Sequence, residues 1–320
     1  MKIAVYGTWH VHAPEYTEAA MKYGEVVGVY EENANWRKEF CQKYQLKEFY
    51  TPQELLQSDA EGVIVCCASN QHAEVIKQIA QAGKHIFTEK VLALTDDDCD
   101  EIEKAVLENN VNFVISMPQK YRSGQRTIKK LVESGELGKI NYMRFRNCHS
   151  GSIADWLPAH FYDAKECGGG AMIDLGAHGM YLTEWILGMP DHFSSVFSNV
   201  CDKPSVLEKN QDHVEDNAVT VMSYQSGCIA INETGFVSMH YPSSLEIGGD
   251  LGYARFENDS VCKATTQTCG QLTEVEPEPE LPMPIVQFVT GEILDGCGMK
   301  EAKALTHMMV KAYENIQQTL

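Results

Sequence analysis

Hydrophobic positions in the first 120 residues follow two alternating periods. Short apolar runs rich in β-branched residues alternate with segments whose apolar residues recur every three or four positions. The predicted strands cover residues 2–6, 25–30, 62–67, 84–88 and 111–116, and the predicted helices cover 14–22, 35–44, 72–82 and 96–109. Regular alternation of strands and helices is typical of a doubly wound parallel sheet. The pattern therefore predicts an α/β domain over residues 1–120.

The pattern changes at residue 121, after which strand-like runs follow one another with few helices between them. Predicted strands cover residues 140–147, 218–224, 228–236, 245–247 and 253–257, and predicted helices cover 127–134, 174–187 and 301–318. Consecutive strands without crossover helices indicate an antiparallel or mixed sheet. A proline-rich stretch over residues 274–284 indicates a loop. We therefore expect a second domain over residues 121–320.

The composition agrees with this division and limits the classes of partner. A length of 320 residues corresponds to two domains at about 150 residues each. Acidic residues number 45 against 26 basic ones, and the formal net charge is −19. Such a charge repels phosphate backbones and anionic lipids, so nucleic acid and membranes are not expected as partners. It still allows a small anionic cofactor, because a helix N-terminus can hold a phosphate locally.

The cysteines and the apolar stretches indicate where the protein resides. Eleven cysteines occur without a CxxC spacing, which predicts neither a disulfide framework nor a zinc site and fits a reducing compartment. The chain opens on a strand-like run instead of a signal segment, and no stretch approaches the roughly 18 apolar residues of a membrane span. We therefore expect a cytoplasmic protein.

A candidate phosphate-binding turn joins the first strand to the first helix. Its sequence is Gly7-Thr8-Trp9-His10-Val11-His12, in which only the first glycine of a G-x-G-x-x-G fingerprint is present. Glu31 ends the second strand, where an acidic side chain accepts hydrogen bonds from a ribose 2′-hydroxyl and repels a 2′-phosphate. This arrangement predicts NAD in preference to NADP. An ordinary strand–turn–helix with a solvated glutamate explains the same local pattern equally well.

The same turn raises the question of a metal. His10 and His12 are two residues apart, with no cysteine or carboxylate nearby in the sequence. Two imidazoles alone are a poor ligand set, so the sequence predicts no metal site.

The acidic run 96–98 lies in the first turn of a predicted helix, where it complements the helix dipole.

Two longer motifs resemble a known family. The first comprises Ser69-Asn70-Gln71-His72 and, one helix later, Gly83-Lys84-His85-Ile86-Phe87-Thr88-Glu89-Lys90. The second runs from the glycine triplet 168–170 through Asp174 and His178 to Gly188. Together they resemble the Gfo/Idh/MocA family of glucose–fructose oxidoreductase and inositol dehydrogenase. The resemblance extends over nearly the whole chain.

The resemblance implies a fold, a cofactor and an assembly. The expected fold is an N-terminal NAD(P)-binding Rossmann domain followed by a substrate-binding α/β domain with a large, open, mostly antiparallel sheet. That sheet commonly forms subunit contacts, so a homodimer or homotetramer is expected. The residues expected to bind NAD are Gly7, Thr8, Trp9, His10, Val11, His12, Glu31, Ser69, Asn70, His72, Glu89 and Lys90.

The resemblance also implies the catalytic residues Lys90, Asp174 and His178. Oxidation of a secondary alcohol needs a base for the hydroxyl proton, and the pKa of histidine suits that task. An ammonium group such as that of Lys90 stabilises alkoxide character as hydride leaves. From its position in the predicted helix alone, His178 would be a hydrogen-bonded histidine of the core. The family motif implies instead that His178 is catalytic. Val91 replaces the proline of the family's Glu-Lys-Pro motif.

Substrate contacts are expected from aromatic and polar residues around the second motif. The candidates are Lys120, Tyr121, His149, Trp156 and Tyr162, with His160 and Asp163 as further possibilities. Aromatic faces suit stacking on the apolar face of a sugar ring. For each of these residues, a role in the core or on the polar surface explains the residue type at least as well.

Three functions fit the sequence. The first is a dehydrogenase that transfers hydride between NAD and a secondary hydroxyl of a sugar, glycoside or inositol. The second retains NAD and uses transient oxidation to assist glycoside cleavage or elimination. The third is a non-catalytic dinucleotide- or sugar-binding regulator, which the departures at Trp9, His12 and Val91 allow. The joint presence of Lys90, Asp174 and His178 favours catalysis.

Overall fold

The computed structural model describes residues 1–317 and divides into two compact units. The first comprises Met1–Pro118 and Pro282–Thr306, and the second comprises Gln119–Leu281 and the chain from His307 onwards. The strands are β1 (Lys2–Tyr6), β2 (Glu25–Tyr30), β3 (Glu48–Phe49), β4 (Gly62–Val65), β5 (His85–Thr88), β6 (Phe113–Ile115), β7 (Ile140–Cys148), β8 (His192–Ser198), β9 (Asn217–Ser223), β10 (Ile229–Gly235), β11 (Ser244–Gly249), β12 (Gly252–Glu257), β13 (Ser260–Thr265) and β14 (Thr273–Glu274). The helices are α1 (Ala13–Tyr23), α2 (Ala34–Tyr44), α3 (Pro52–Leu56), α4 (His72–Gln81), α5 (Asp96–Glu108), α6 (Ser123–Glu133), α7 (Ala164–Cys167), α8 (Ala177–Leu187), α9 (Pro204–Lys209), α10 (Pro284–Thr290) and α11 (Met299–Glu314).

The first unit is built on a six-stranded sheet in the order β3-β2-β1-β4-β5-β6, with every pair parallel. This confirms the predicted doubly wound fold. Tyr6 is in register with Val65, and Val65 with Thr88, so the chain leaves β1, β4 and β5 at one edge. The register therefore brings the turn after β1 to the Glu89-Lys90 motif after β5.

The segment 282–306 belongs to the first unit, although the division predicted from the sequence assigns it to the second domain. The ring of Phe288 on α10 lies 5.8 Å from that of Phe87 on β5. Phe288 also packs so closely on Gly62 of β4 that a Cβ there would lie 2.8 Å from its ring. The apolar face of α10 therefore finds its partner on the parallel sheet.

The second unit contains an eight-stranded sheet in the order β14-β13-β12-β11-β7-β10-β9-β8. Strands β7 and β10 pair in parallel and the other neighbours pair antiparallel. The predicted mostly antiparallel sheet is confirmed. The pattern missed β8, β13 and β14.

The predicted helix over residues 174–187 is in fact two structures. A π-helical turn covers Met172–Gly176, and α8 follows from Ala177. Asp174 therefore lies in the π-helical turn, and His178 is the second residue of α8. Glycine at 179 lets α8 approach the sheet closely at Asn232 and Phe145.

The predicted closing helix over residues 301–318 corresponds to α11, which ends at Glu314; residue 318 lies outside the described residues.

Over residues 1–317, no helix combines the length and apolar character needed to cross a bilayer.

Candidate active site

The turn after β1 is held by backbone hydrogen bonds to two neighbouring strand ends. Gly7 N–H donates to the Tyr30 carbonyl at 2.7 Å, and His10 N–H donates to the Cys66 carbonyl at 3.1 Å. Gly7 has φ +84°, and a Cβ there would lie 2.6 Å from the Cys67 nitrogen, so glycine is required. Helix α1 begins at Ala13 directly after the turn, and its N-terminal amides and dipole favour an anion at this edge.

Glu31 is buried, and its carboxylate accepts hydrogen bonds from the turn after β1. Its Oε2 accepts hydrogen bonds from the Thr8 amide at 2.7 Å and the Thr8 hydroxyl at 3.1 Å, and its Oε1 accepts from the Asn33 amide at 2.9 Å. A carboxylate has about four acceptor positions, so capacity remains for a ribose hydroxyl. The acceptor capacity of Glu31 therefore fits a dinucleotide without a 2′-phosphate.

The motif after β4 divides into two kinds of residue. Ser69 and Asn70 lie in a short 3₁₀ helix that follows β4 at the same sheet edge. His72 is buried, with Nδ1 2.9 Å from the Val91 carbonyl and Nε2 3.2 Å from the Cys67 carbonyl. The imidazole thus links the segments that follow β4 and β5 from within.

No carboxylate lies near His10 and His12 in the sequence, but the fold brings Glu89 to both histidines. Glu89 Oε1 lies 2.7 Å from His12 Nδ1 and 3.5 Å from His10 Nδ1, and it accepts a hydrogen bond from Tyr16. Burial raises the pKa of the Glu89 carboxyl, but the two imidazoles outweigh burial and hold that pKa well below its ordinary value. His10 and His12 therefore do have a carboxylate partner, and it lies 77 residues from His12 in the chain.

Lys90 follows immediately and is buried in the first unit. Its backbone N–H donates to Glu89 Oε2 at 2.9 Å, and the Lys90–Val91 peptide bond is cis. Glu89 therefore anchors the backbone of the residue predicted to stabilise the alkoxide.

His178 lies near the start of α8 in the second unit, with Nδ1 2.8 Å from the Tyr181 hydroxyl. That hydroxyl also accepts the Gln119 N–H at 3.1 Å, and Lys120 Nζ lies 5.9 Å from the Tyr181 ring centre. The structure thus groups two predicted residues, His178 and Lys120, around Tyr181. Tyr181 and Gln119 were missed as functional residues; the only sequence signal for Tyr181 is its position three residues after the histidine.

A second group forms around His149. Its ring stacks on Phe236 at 5.0 Å with an 11° interplanar angle, and Trp156 lies 4.7 Å away on a tilt. Burial lowers the pKa of His149, and the negative charge of Asp174 opposes that effect. Trp156 is 54% exposed, so the group presents an aromatic surface to solvent.

Two of the predicted substrate residues belong to the core. Tyr162 is fully buried among Leu157, Phe161 and other apolar side chains, and its hydroxyl lies 2.7 Å from Ser152 Oγ. Tyr121 is also buried. Asp163 caps α7 by accepting the amides of residues 165 and 166. Packing and capping account for these three residues.

Glu215 is a residue that sequence reasoning missed. Its buried carboxylate accepts the Gly170 amide at 3.1 Å, the Met172 amide at 2.9 Å and the Tyr313 hydroxyl at 2.7 Å. The Glu215 carbonyl leaves no room for a Cβ at Gly170. The glycine motif therefore allows a close approach that anchors the segment leading to Asp174 and His178.

Comparison with known proteins agrees with both units. Residues 1–117 match the oxidoreductase family with an NAD-binding Rossmann fold, and residues 125–255 match the GFO/IDH/MocA C-terminal domain. The chain belongs to the Gfo/Idh/MocA oxidoreductase family. The resemblance found in the sequence is therefore confirmed.

Individual relatives are distant. The myo-inositol 2-dehydrogenase of Thermotoga maritima is 26% identical over 68% of this chain and 63% of its own length. The 2,7-anhydro-N-acetylneuraminate hydratase of Mediterraneibacter gnavus is 27% identical over 58% of this chain and 47% of its own length. The chain thus spans less than two thirds of either protein. A levoglucosan dehydrogenase solved with NADH has the same fold, with a TM-score of 0.82 at 17% identity over 98% of this chain and 96% of its own.

Proposed function

We propose that this member of the family is an NAD-dependent dehydrogenase acting on a secondary hydroxyl of a sugar, glycoside or inositol. The observation that carries the proposal is the pairing of His178 with Tyr181 beside Lys120. It gives a histidine a defined hydrogen-bond partner and puts a cation nearby. The dehydrogenases of inositol and levoglucosan among its relatives and structural neighbours support the substrate class.

His178 acts as the base in this proposal. With Nδ1–H donating to the Tyr181 hydroxyl, Nε2 presents a lone pair and takes the hydroxyl proton. The Lys90 ammonium stabilises the developing alkoxide, and Asp174 orients the substrate. Bound NAD would supply the hydride acceptor for the carbinol carbon, and His178 would hold the hydroxyl proton as the substrate becomes a ketone. Lys90 lies in the first unit and the other two residues lie in the second.

The first unit supplies the cofactor contacts. The turn 7–12 and the N-terminus of α1 would hold the pyrophosphate, and Glu31 would accept hydrogen bonds from the adenosine ribose hydroxyls. Ser69, Asn70 and Glu89-Lys90 complete the contacts, and His72 supports them from within. The Glu31 side chain accepts hydrogen bonds and offers no positive charge to a 2′-phosphate, so NAD is the preferred cofactor.

The second unit offers surfaces suited to a polyol. Trp156 and His149 form an aromatic platform for the apolar face of a ring, with Asp174 close enough to influence the charge of His149. A cavity of about 480 Å³ lies beside Gln119, and Arg122, Asn147 and Phe256 are among the residues that line it. Cavities of this size hold small molecules, and polar groups with aromatic faces match a sugar.

The proposal includes an oligomeric state and a cellular location for the dehydrogenase. Val196, Val221 and Ile229 share one face of the second sheet and are exposed, which supports a homodimer or homotetramer formed through that sheet. The eleven cysteines, all within the described residues, form no disulfide, which agrees with a cytoplasmic location. No nucleic acid or membrane partner is proposed.

A second candidate retains NAD through each turnover and uses transient oxidation to assist elimination. The hydratase of M. gnavus among the relatives favours it. It uses the same His178 base, which returns its proton within one catalytic cycle.

One experiment distinguishes the dehydrogenase, the NAD-retaining enzyme and a non-catalytic regulator. The purified protein is denatured and any released nucleotide is identified by mass, and then a panel of sugars and inositols is tested with added NAD for NADH absorbance. Net reduction supports the dehydrogenase, and tightly held NAD without net reduction supports the second candidate. Absence of dinucleotide binding contradicts both and indicates a regulator.

A further inference from the structure

We propose that His10, His12 and Glu89 form a binding site for a divalent first-row transition-metal ion of the zinc or iron(II) class. One ligand atom from each residue lies within 4.8 Å of those of the other two. The site belongs wholly to the first unit and goes beyond the dehydrogenase activity proposed above.

The distances suit a shared ion. Ligand atoms bound at about 2.1 Å to a tetrahedral centre lie roughly 3.4 Å apart, and about 3.0 Å apart at a right angle. Glu89 Oε1 lies 3.5 Å from His10 Nδ1 and 2.7 Å from His12 Nδ1. The His10–Glu89 separation already suits a shared ion, the His12–Glu89 separation would have to widen by a few tenths of an ångström, and the His12 side chain is 37% exposed.

The two histidines have partners in the turn and in the cluster. The backbone N–H of His12 lies 3.3 Å from His10 Nδ1, and His12 Nδ1 lies 2.7 Å from Glu89 Oε1. A metal ion would take the place of the proton that His12 shares with Glu89, because an imidazole nitrogen binds a metal only when it carries no proton.

The carboxylate is held in position by groups outside the ligand set. Glu89 Oε2 accepts the Lys90 amide at 2.9 Å, and Oε1 accepts the Tyr16 hydroxyl, which is itself 2.7 Å from Ser116 Oγ. Such outer hydrogen bonds orient metal ligands and sharpen affinity. The strand register at the carboxyl edge brings the two segments together without a long flexible loop.

The ligand types select the class of ion. Two imidazoles and one carboxylate occur in zinc sites with an open position and in iron(II) sites of the facial-triad type. Magnesium and calcium prefer oxygen ligands. The exposed side of His12 gives an ion a route from solvent. The bound ion would join the turn after β1 to the segment that carries Lys90.

The test measures metal binding in the absence of nucleotide. Protein treated with a chelator and desalted is titrated with Zn²⁺ by calorimetry and with Co²⁺ by visible absorption. We expect one equivalent per chain and a Co²⁺ spectrum of nitrogen and oxygen ligands. His10→Gln and His12→Gln should each weaken binding at least tenfold, whereas His192→Gln, which removes an exposed histidine of β8, should leave binding unchanged.

Two results would overturn the proposal. One is failure of the unmutated protein to bind a stoichiometric ion, and the other is equal binding by the unmutated protein and His12→Gln. Either result means that the three residues form a hydrogen-bonded cluster only. X-ray absorption of the Zn²⁺ complex of the unmutated protein counts imidazole ligands directly, so the test stands even if a variant folds poorly. Because no nucleotide is present, failure here leaves the proposed dehydrogenase activity untouched.

Discussion

The Tyr313 hydroxyl donates a 2.7 Å hydrogen bond to Glu215 Oε1, and the same carboxylate accepts the amides of Gly170 and Met172. Helix α11 is thereby joined to the segment that precedes Asp174 and His178. Glu215 touches neither of those two residues through any of these bonds, so we regard it as a positioning residue. The contribution of Glu215 to stability can be measured by unfolding experiments that need no substrate.

Replacing Tyr313 with Phe should lower the free energy of unfolding by about 1–3 kcal/mol, because a buried acceptor loses its donor. Urea unfolding followed by circular dichroism measures the change. Tyr44→Phe is the matched control, since the Tyr44 hydroxyl donates a 2.7 Å bond to Glu18 at an exposed position. The control should cost less than about 0.5 kcal/mol. Equal losses in the two variants would contradict the anchoring role of Glu215.

Glu215 should also give the unfolding free energy a distinct pH dependence. Burial raises the pKa of Glu215 above its ordinary value of 4.5, so the folded state holds a proton that the unfolded state releases. Stability from this group is greatest below pH 4.5 and falls as pH rises from there through the folded-state pKa. Glu215→Gln removes the ionisation, so the difference between the wild-type and variant unfolding curves should shrink or change sign across that window. A difference independent of pH would argue against the raised pKa.

His178→Asn should abolish turnover and leave NAD affinity within about twofold. Loss of a general base costs about 10²–10⁴-fold in rate. Steady-state kinetics and NADH fluorescence titration measure the two properties separately. His192→Asn, at an exposed position, serves as the control and should behave like the wild type. Near-normal turnover in His178→Asn would remove the residue from the mechanism.

Tyr181→Phe should lower kcat by about tenfold with a smaller change in KM, because the His178 ring loses the partner that selects its tautomer. The pH dependence of kcat should shift as well, a readout that a purely structural role would leave unmoved. If only stability changes while the pH profile keeps its position, Tyr181 does not act through the histidine.

Trp156→Ala should raise KM by about tenfold and change stability by less than about 0.5 kcal/mol, since the side chain is 54% exposed. Trp36→Ala removes another exposed tryptophan, on α2 of the first unit, and should leave KM unchanged. Substrate titrations on both variants decide the matter. A KM unaffected in Trp156→Ala would exclude the aromatic platform from substrate binding.

Local pattern predicted the longer elements closely. Strands β1 and β2 have the predicted bounds, and α4 and α5 end one residue before the predicted positions, because burial of one face imposes a period that the sequence displays. The two-residue strands β3 and β14 escaped because two residues carry no period. The helical segment expected over 174–187 is present, but it begins as a π-helical turn, whose hydrogen bonds span one residue more than those of an α-helix. Hydrophobic spacing does not resolve that difference.

The sequence by itself determined the alternation of elements, the family motifs and the identities of Lys90, Asp174 and His178 as candidates. Only the tertiary structure decided which side chains meet: Glu89 with His12 across 77 residues, and Glu215 with Tyr313 across 98. It also showed that Tyr162 and His72, two residues expected to contact ligands, are buried and have hydrogen-bond partners in the interior. The physical reason is that periodicity records which face of an element is buried, whereas a polar contact depends on the register of strands distant in the chain.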